Sequence, residues 1–238
     1  MTKRLLRLAV ATAAFALALT AAGAFALPKS LTTYLLGPKM VRAEVALMSP
    51  ELHDYRLSRG TIKAVSRTSI TLTERDGQVE TIALSIAPAT RVVLNGHPSG
   101  IGALRKRMQA VVIRVDSNPA SHIFAASPKR TLRLPRAMIN GLLGPRMLRG
   151  EIAVQAGAVH HDYLLDRGRI RSVSGATNSI TLKERDGQVV TVAVAADARI
   201  TLNGQASSFA ALAKGMTATT IRDGVGSAAQ SVFAVGAR

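Results

Sequence analysis

In the stretch Ser179–Val194, SITLKERDGQVVTVAV, apolar residues fall at Ile180 and Leu182 before Asp186-Gly187 and at Val190, Val192 and Val194 after it. Each series has a period of two, the pattern of a strand with one buried face. Residues opposite each other across a hairpin share a face, so loop length decides which ones meet. A two-residue turn at Asp186-Gly187 sets Leu182 against polar Thr191, whereas a three-residue loop, Arg185-Asp186-Gly187, sets Leu182 against Val190 and Ile180 against Val192. The pattern therefore predicts a type I turn followed by Gly187 at positive φ. The stretch Ser69–Ile82, SITLTERDGQVETI, repeats the text, and the same register pairs Ile70 with Ile82. Asp76 and Asp186 read as turn residues and not as catalytic groups.

The repetition extends well beyond the hairpin. PKSLTTYLLGPKMVRAEVAL from Pro28 corresponds to PKRTLRLPRAMINGLLGPRMLRGEIAV from Pro128, and HDYRLSRGTIKAVS to HDYLLDRGRIRSVS. RVVLNG matches RITLNG, and MQAVVIRV matches MTATTIR. The chain thus divides into two units, 28–127 and 128–238, with length drifting at loops, where insertions are tolerated. GTIKAVS and GRIRSVS alternate after Gly60 and Gly168, glycines suited to a bulge or bend within a long strand. The Asn-Gly pairs closing RVVLNG and RITLNG predict tight turns. Only IGALRKRM and FAALAKGM suggest a short helix. Each unit is expected to be all-β, with five to seven short strands and one short helix, in a small closed or nearly closed barrel that hides its strand edges. Prolines and cations between Pro128 and Pro135 disfavour a central strand and mark the connection.

The order G-x-I-x-x-V-S, S-I-T-L, D-G-Q-V, T-V, L-N-G, L, G-M in the second unit resembles a family of secreted bacterial domains of unknown function, small OB-like β-barrels occurring singly or in tandem. The resemblance covers most of both units. It implies an exported barrel and brings no catalytic residues. The first unit departs from the pattern at Arg107, where the second has Gly215.

The first 26 residues carry Lys3, Arg4 and Arg7, an apolar run from Leu8 and an Ala24-Phe25-Ala26 ending. That is the form of a secretory signal peptide, so the chain is expected to be exported and to begin near Leu27 after cleavage, outside the cytoplasmic membrane. The alternative is a leader retained as an anchor, since its apolar run approaches the ~20 residues of a membrane span. Loss of Lys3, Arg4 and Arg7 with no acid lowers the formal charge from +17 to +14. A basic surface of this kind suits an anionic envelope polymer or an acidic protein. The absence of cysteine removes disulfides, thiolate nucleophiles and cysteine-based metal sites. With aromatics at 3% and no tryptophan, the cores must be aliphatic.

Candidate chemistry is sparse. His53-Asp54-Tyr55 and His160-His161-Asp162-Tyr163 offer the donors of a metal shell or an acid/base pair. Neighbours on a strand point to opposite faces, so His161 and Asp162 do not converge; His160 and Asp162 share a face, but Leu52 replaces His160 in the first unit. These residues are read as a polar strand end, with a metal-binding or hydrolytic role as the alternative. No G-x-S-x-G elbow, phosphate loop or dinucleotide fingerprint is present, and no cofactor or enzyme activity is expected. Single-stranded nucleic acid is a further alternative for an OB-like barrel. It needs stacking platforms, whereas Tyr55, Tyr163, Phe124 and Phe233 recur at matched positions as core residues do. The basic runs differ: Arg105-Lys106-Arg107 faces Ala213-Lys214-Gly215 in the second unit, and Lys129, Arg130, Arg133 and Arg136 belong to the connection between the units. By contrast Arg42/Arg149, Arg59/Arg167, Arg75/Arg185 and Arg114/Arg222 occur in both units. The seven cations of that run and of the connection are the expected polyanion-binding residues.

Overall fold

A computed structural model of the chain describes residues 27–86 and 89–236. The expected leader, residues 1–26, lies outside the described residues. The first half contains α1 (Lys29–Leu35), β1 (Met40–Met48), β2 (Leu52–Val65), β3 (Ser69–Glu74), β4 (Val79–Ala83), β5 (Arg91–Leu94), β6 (His97–Ser99), β7 (Gln109–Val115) and β8 (His122–Ala126). The second contains α2 (Arg136–Leu142), β9 (Met147–Ala156), β10 (Val159–Ser174), β11 (Ser179–Lys183), β12 (Val189–Leu202), β13 (Gln205–Ser207), β14 (Thr217–Asp223) and β15 (Ala229–Val235). The fold is mostly β, as the alternation predicts. No helix among the described residues is long and apolar enough to cross a membrane.

The repeated hairpins adopt the predicted register. Ile70 faces Ile82, Ile180 faces Val192 and Leu182 faces Val190. Gly77 and Gly187 take φ of 87° and 94°, and Gln78 N and Gln188 N donate to Asp76 Oδ1 and Asp186 Oδ1. The Asn95-Gly96 and Asn203-Gly204 turns have both residues at positive φ, closing the β5–β6 and β12–β13 hairpins. Gly60 and Gly168 serve close approach: a Cβ there would stand 2.5 Å from Thr73 O and 2.6 Å from Lys183 O. The register shifts expected near them fall slightly later, at Ile62/Ala64 and Ile170/Ser172.

Strands β10, β11, β12, β15 and β14 close into a five-strand barrel, antiparallel throughout except for the parallel β12–β15 pair. Its interior is aliphatic, with Ile170, Ile180, Leu182, Val192 and Val232 fully buried. In the first half the pairings run in the same order: β4–β3–β2–β7–β8–β5, with β5–β8 parallel and a Leu84–Ala120 bridge between the end of β4 and the approach to β8. The continuous β12 is thus matched by two shorter strands, β4 and β5.

Three expectations need correction. The strands are not all short: β2 has 14 residues and β10 has 16, because each passes through its barrel and continues into the sheet beyond it. The predicted helices IGALRKRM and FAALAKGM are only three-residue 3₁₀ turns, Ile101–Ala103 and Phe209–Ala211. The α-helices instead lie at Lys29–Leu35 and Arg136–Leu142, each following a proline. Pro28 therefore corresponds to Pro135 and not to Pro128.

The two halves join edge to edge. β1 pairs with β2 on one side and with β9 on the other, while β9 pairs with β10, giving one sheet through the whole molecule. The antiparallel β1–β9 register sets Glu44 opposite Glu151, Arg42 opposite Ala153 and Ala46 opposite Arg149. Equivalent residues thus exchange places about an approximate twofold axis, as in the isologous contact of a symmetric dimer. Leu35, Leu36, Met40 and Leu57 pack in one cluster with Leu142, Leu143, Met147 and Leu165, all essentially inaccessible. Tyr34 Oη lies 3.3 Å from Tyr163 Oη across the join.

Candidate functional site

The histidine segments sit at strand ends, where each finds a carboxylate that the sequence did not single out. His53 Nδ1 is 3.0 Å from Asp116 Oδ2, and His161 Nδ1 is 2.6 Å from Asp223 Oδ2. The register explains the meeting: Tyr55 faces Val115 and Tyr163 faces Asp223, bringing the ends of β7 and β14 beside the start of the long strands. Asp54 N and then His53 hold the Asp116 carboxyl below the usual carboxylate range. His160 Nε2 approaches Asp162 Oδ1 at 2.9 Å, so these two share a face as alternation requires. His161 instead stacks on the Tyr163 ring, with centroids 5.5 Å apart. Burial and then the Tyr34 hydroxyl push the Tyr163 phenol up. These contacts are pairwise. Among the described residues no group of three His, Cys, Asp or Glu is placed to hold a metal ion. Phe124 and Phe233 are buried, and Tyr55 and Tyr163 are half-buried.

Six of the eight duplicated arginines are structural, whereas Arg75 and Arg185 are exposed. Arg42 Nη1 donates to Glu74 Oε2 at 2.9 Å and its Nη2 to Asp76 Oδ2 at 2.6 Å, tying the β3–β4 hairpin to β1. Arg149 does the same for Glu184 and, at 2.8 Å, Asp186. The Asp of the repeated Asp-Gly is therefore a turn residue with a second task. Burial pushes Glu74 up to about 7, Arg42 opposing and Asp76 and Glu80 adding to the rise. Glu184 is likewise raised by burial against the pull of Arg149. Arg59 is buried and donates from Nη1 to Gly37 O at 3.1 Å and from Nη2 to Leu132 O at 2.6 Å. Arg114 and Arg222 pair with Glu80 and Asp166 at 2.6 and 2.7 Å.

The cations of the Arg105–Arg107 run and of the connection differ from the carboxylate-paired arginines. Arg105, Lys106, Arg107, Lys129, Arg130, Arg133 and Arg136 are all exposed, and among the described residues none forms an ion pair. Gln109 faces Ala126 in the β7–β8 pair, which brings the turn carrying Arg105, Lys106 and Arg107 beside the chain leaving β8 at Lys129 and Arg130. Arg133 and Arg136 follow along the connection. There Leu132 and Leu134 turn inward to the shared core while Arg133 between them turns outward. Arg107 forms the same turn as Gly215: it has φ of 69° against 95°, and each N–H donates to the corresponding isoleucine carbonyl, Ile62 at 2.9 Å and Ile170 at 2.8 Å. Comparisons with protein-family models, curated proteins and solved structures yield no match to this chain.

Proposed function

We propose that this is an exported, non-catalytic protein of two tandem OB-like barrels, 28–127 and 128–238, whose basic surface binds an anionic polymer of the cell envelope or an acidic protein. The tandem reading is supported by the closed ring of β10, β11, β12, β15 and β14 and by the matching order of pairings in the first half. A closed five-stranded barrel with a single parallel pair supports the OB-like reading. The leader with its Ala24-Phe25-Ala26 ending supports export.

One observation carries the binding reading: Arg42, Arg149, Arg114 and Arg222 are engaged by carboxylates, whereas Arg105, Lys106, Arg107, Lys129, Arg130, Arg133 and Arg136 are exposed and form no ion pair among the described residues. A cation already neutralised within the fold adds little to an external field, while unpaired ones at neighbouring turns add together. The test is retention of the purified protein on an immobilised sulfated polymer and on its neutral counterpart, across a salt series. Retention confined to the anionic matrix is expected, fading as screening shortens to ~3 Å at 1 M salt. The triple reversal Arg105→Glu, Lys106→Glu and Arg107→Glu is expected to elute at lower salt than the parent. Failure of the parent to be retained at low salt would refute the reading.

A further inference from the structure

We propose that the second half carries a separate docking cleft for an extended acidic segment of a partner protein. The cleft, about 700 Å³, lies between the start of β9, the bend of β10, the β11–β12 hairpin and the turn at Lys214-Gly215. Six cations line it: Arg167, Arg169, Arg171, Lys183, Arg185 and Lys214. The single acid in the lining, Glu184, is already held by Arg149.

The first half shows what this place on the barrel accommodates. Arg59 stands where Arg167 does, one residue before the close-approach glycine, and its guanidinium donates to the carbonyl of Leu132. The residues 131–134 cross this part of the first half without strand pairing, anchored by the buried side chains of Leu132 and Leu134. The chain therefore supplies an extended peptide to its own first barrel. By sequence, the residues standing before Pro28 as 128–134 stand before Pro135 are 21–27, AAGAFAL. All but Leu27 belong to the leader, so the proposal rests on the reading that the leader is removed.

Charge decides what kind of peptide fits. The segment that crosses the first half is basic, with Lys129, Arg130 and Arg133, and the first half has Thr61 facing Thr73 across β2 and β3. In the second barrel the same cross-strand pair is Arg169 and Lys183, both exposed. Arg107 gives way to Gly215, whose carbonyl accepts from Arg169 Nε at 3.2 Å and so holds that guanidinium at the rim. Two cations across adjacent strands repel a basic segment and match carboxylates spaced along an extended one.

The experiment uses protein purified from the extracytoplasmic fraction, its N-terminus read by mass spectrometry. Binding of a fluorescent octapeptide of alternating Glu and Leu is followed by anisotropy, with the Lys–Leu octapeptide as control. The acidic peptide is expected to bind and the basic one not. The pair Arg169→Glu and Lys183→Glu should weaken binding at least tenfold, and the milder pair Arg169→Ala and Lys183→Ala should weaken it less. Thr61→Glu with Thr73→Glu in the first half, and reversal of Arg105, Lys106 and Arg107, should leave it unchanged. The last arm separates this cleft from the polyanion surface, because each can fail alone. No binding by the acidic peptide, equal binding by both peptides, equal loss on first-half reversal, or equally effective displacement by a sulfated polysaccharide of the same charge would overturn the proposal.

Discussion

Arg114 on β7 and Arg222 on β14 stand at the same place in the two halves, yet they take their carboxylate from different strands. Arg114 pairs with Glu80 on β4 and donates also to Ser58 Oγ on β2. Arg222 pairs with Asp166 on β10, the residue that replaces Ser58, while Val190 replaces Glu80. One acid has in effect moved from one neighbouring strand to the other without changing what the arginine receives. The comparison teaches that the backbone frame fixes where charge must be balanced and leaves open which strand balances it. The same frame tolerates a larger difference in the path that leads into each helix. In the first half, Val79–Ala83 and Arg91–Leu94 are two strands where the second has one continuous β12; in the second, α2 is reached by an internal connection that packs back on the first.

The strongest way to break the comparison is to ask whether the halves are independent. Leu36 and Leu143 are equivalent residues, each 1% exposed, in one apolar cluster that draws on both halves. Truncating a fully buried leucine costs about 2–5 kcal/mol, part of it from the cavity left behind. Leu36→Ala and Leu143→Ala are each expected to lower the stability of the entire molecule by that order, with one unfolding transition retained in urea by circular dichroism. Two transitions, only one displaced by each variant, would show two autonomous barrels merely in contact.

A smaller effect tests the migrating carboxylate. Glu80→Val imports the second half's residue and leaves the partly buried Arg114 guanidinium with Ser58 alone. The expected loss is about 1–2 kcal/mol, between an exposed pair and a fully buried one. Adding Ser58→Asp, which imports the second half's acid, should restore most of the loss. A double variant no more stable than Glu80→Val would mean that the two arrangements are not interchangeable, and that strand geometry, as well as charge, differs between halves.

What could be read from the sequence was whatever local chemistry encodes. The hairpin register followed from loop length and alternation at Ile180, Leu182, Val190 and Val192, and the Asn-Gly turns announced themselves. The helices were missed because seven residues make barely two turns and neither has a side-chain N-cap; the prolines at 28 and 135 were the available signal. The β1–β9 pairing was not legible, because no turn joins those strands and MVRAEVALM buries residues on both faces. At the candidate site, the basic run Arg105–Arg107 and the cations of the connection stood out by comparing the repeats. The partners of His53, His161, Arg114 and Arg222 did not, since register brings them together from residues more than 30 positions apart. The inward turn of Leu132 and Leu134 was hidden in a segment read as a connection, although its alternation of apolar and polar residues was present.

The smallest expected effect sharpens the comparison at a single backbone position. Arg107 and Gly215 hold the same turn, with the same N–H to the same carbonyl, but a side chain at positive φ carries a steric penalty of about 1–2 kcal/mol that glycine avoids. Arg107→Gly relieves that penalty and gives back part of it, because glycine adds freedom to the unfolded chain worth roughly 0.5–1 kcal/mol. The net expectation is a gain of under about 1 kcal/mol. Gly215→Arg reverses both terms and should cost a similar amount, and it also places a side chain near Arg169, whose Nη2 stands 3.7 Å from a Cβ at that position. Matched urea denaturations of the two variants read the sign directly. If Arg107→Gly destabilises, the arginine side chain is contributing to the fold through its stem or its charge, and the first half keeps it for stability. If it stabilises, as the dihedral angles require, the strained arginine is retained at a cost, and the exposed run Arg105, Lys106 and Arg107 is where that cost is to be accounted for by binding.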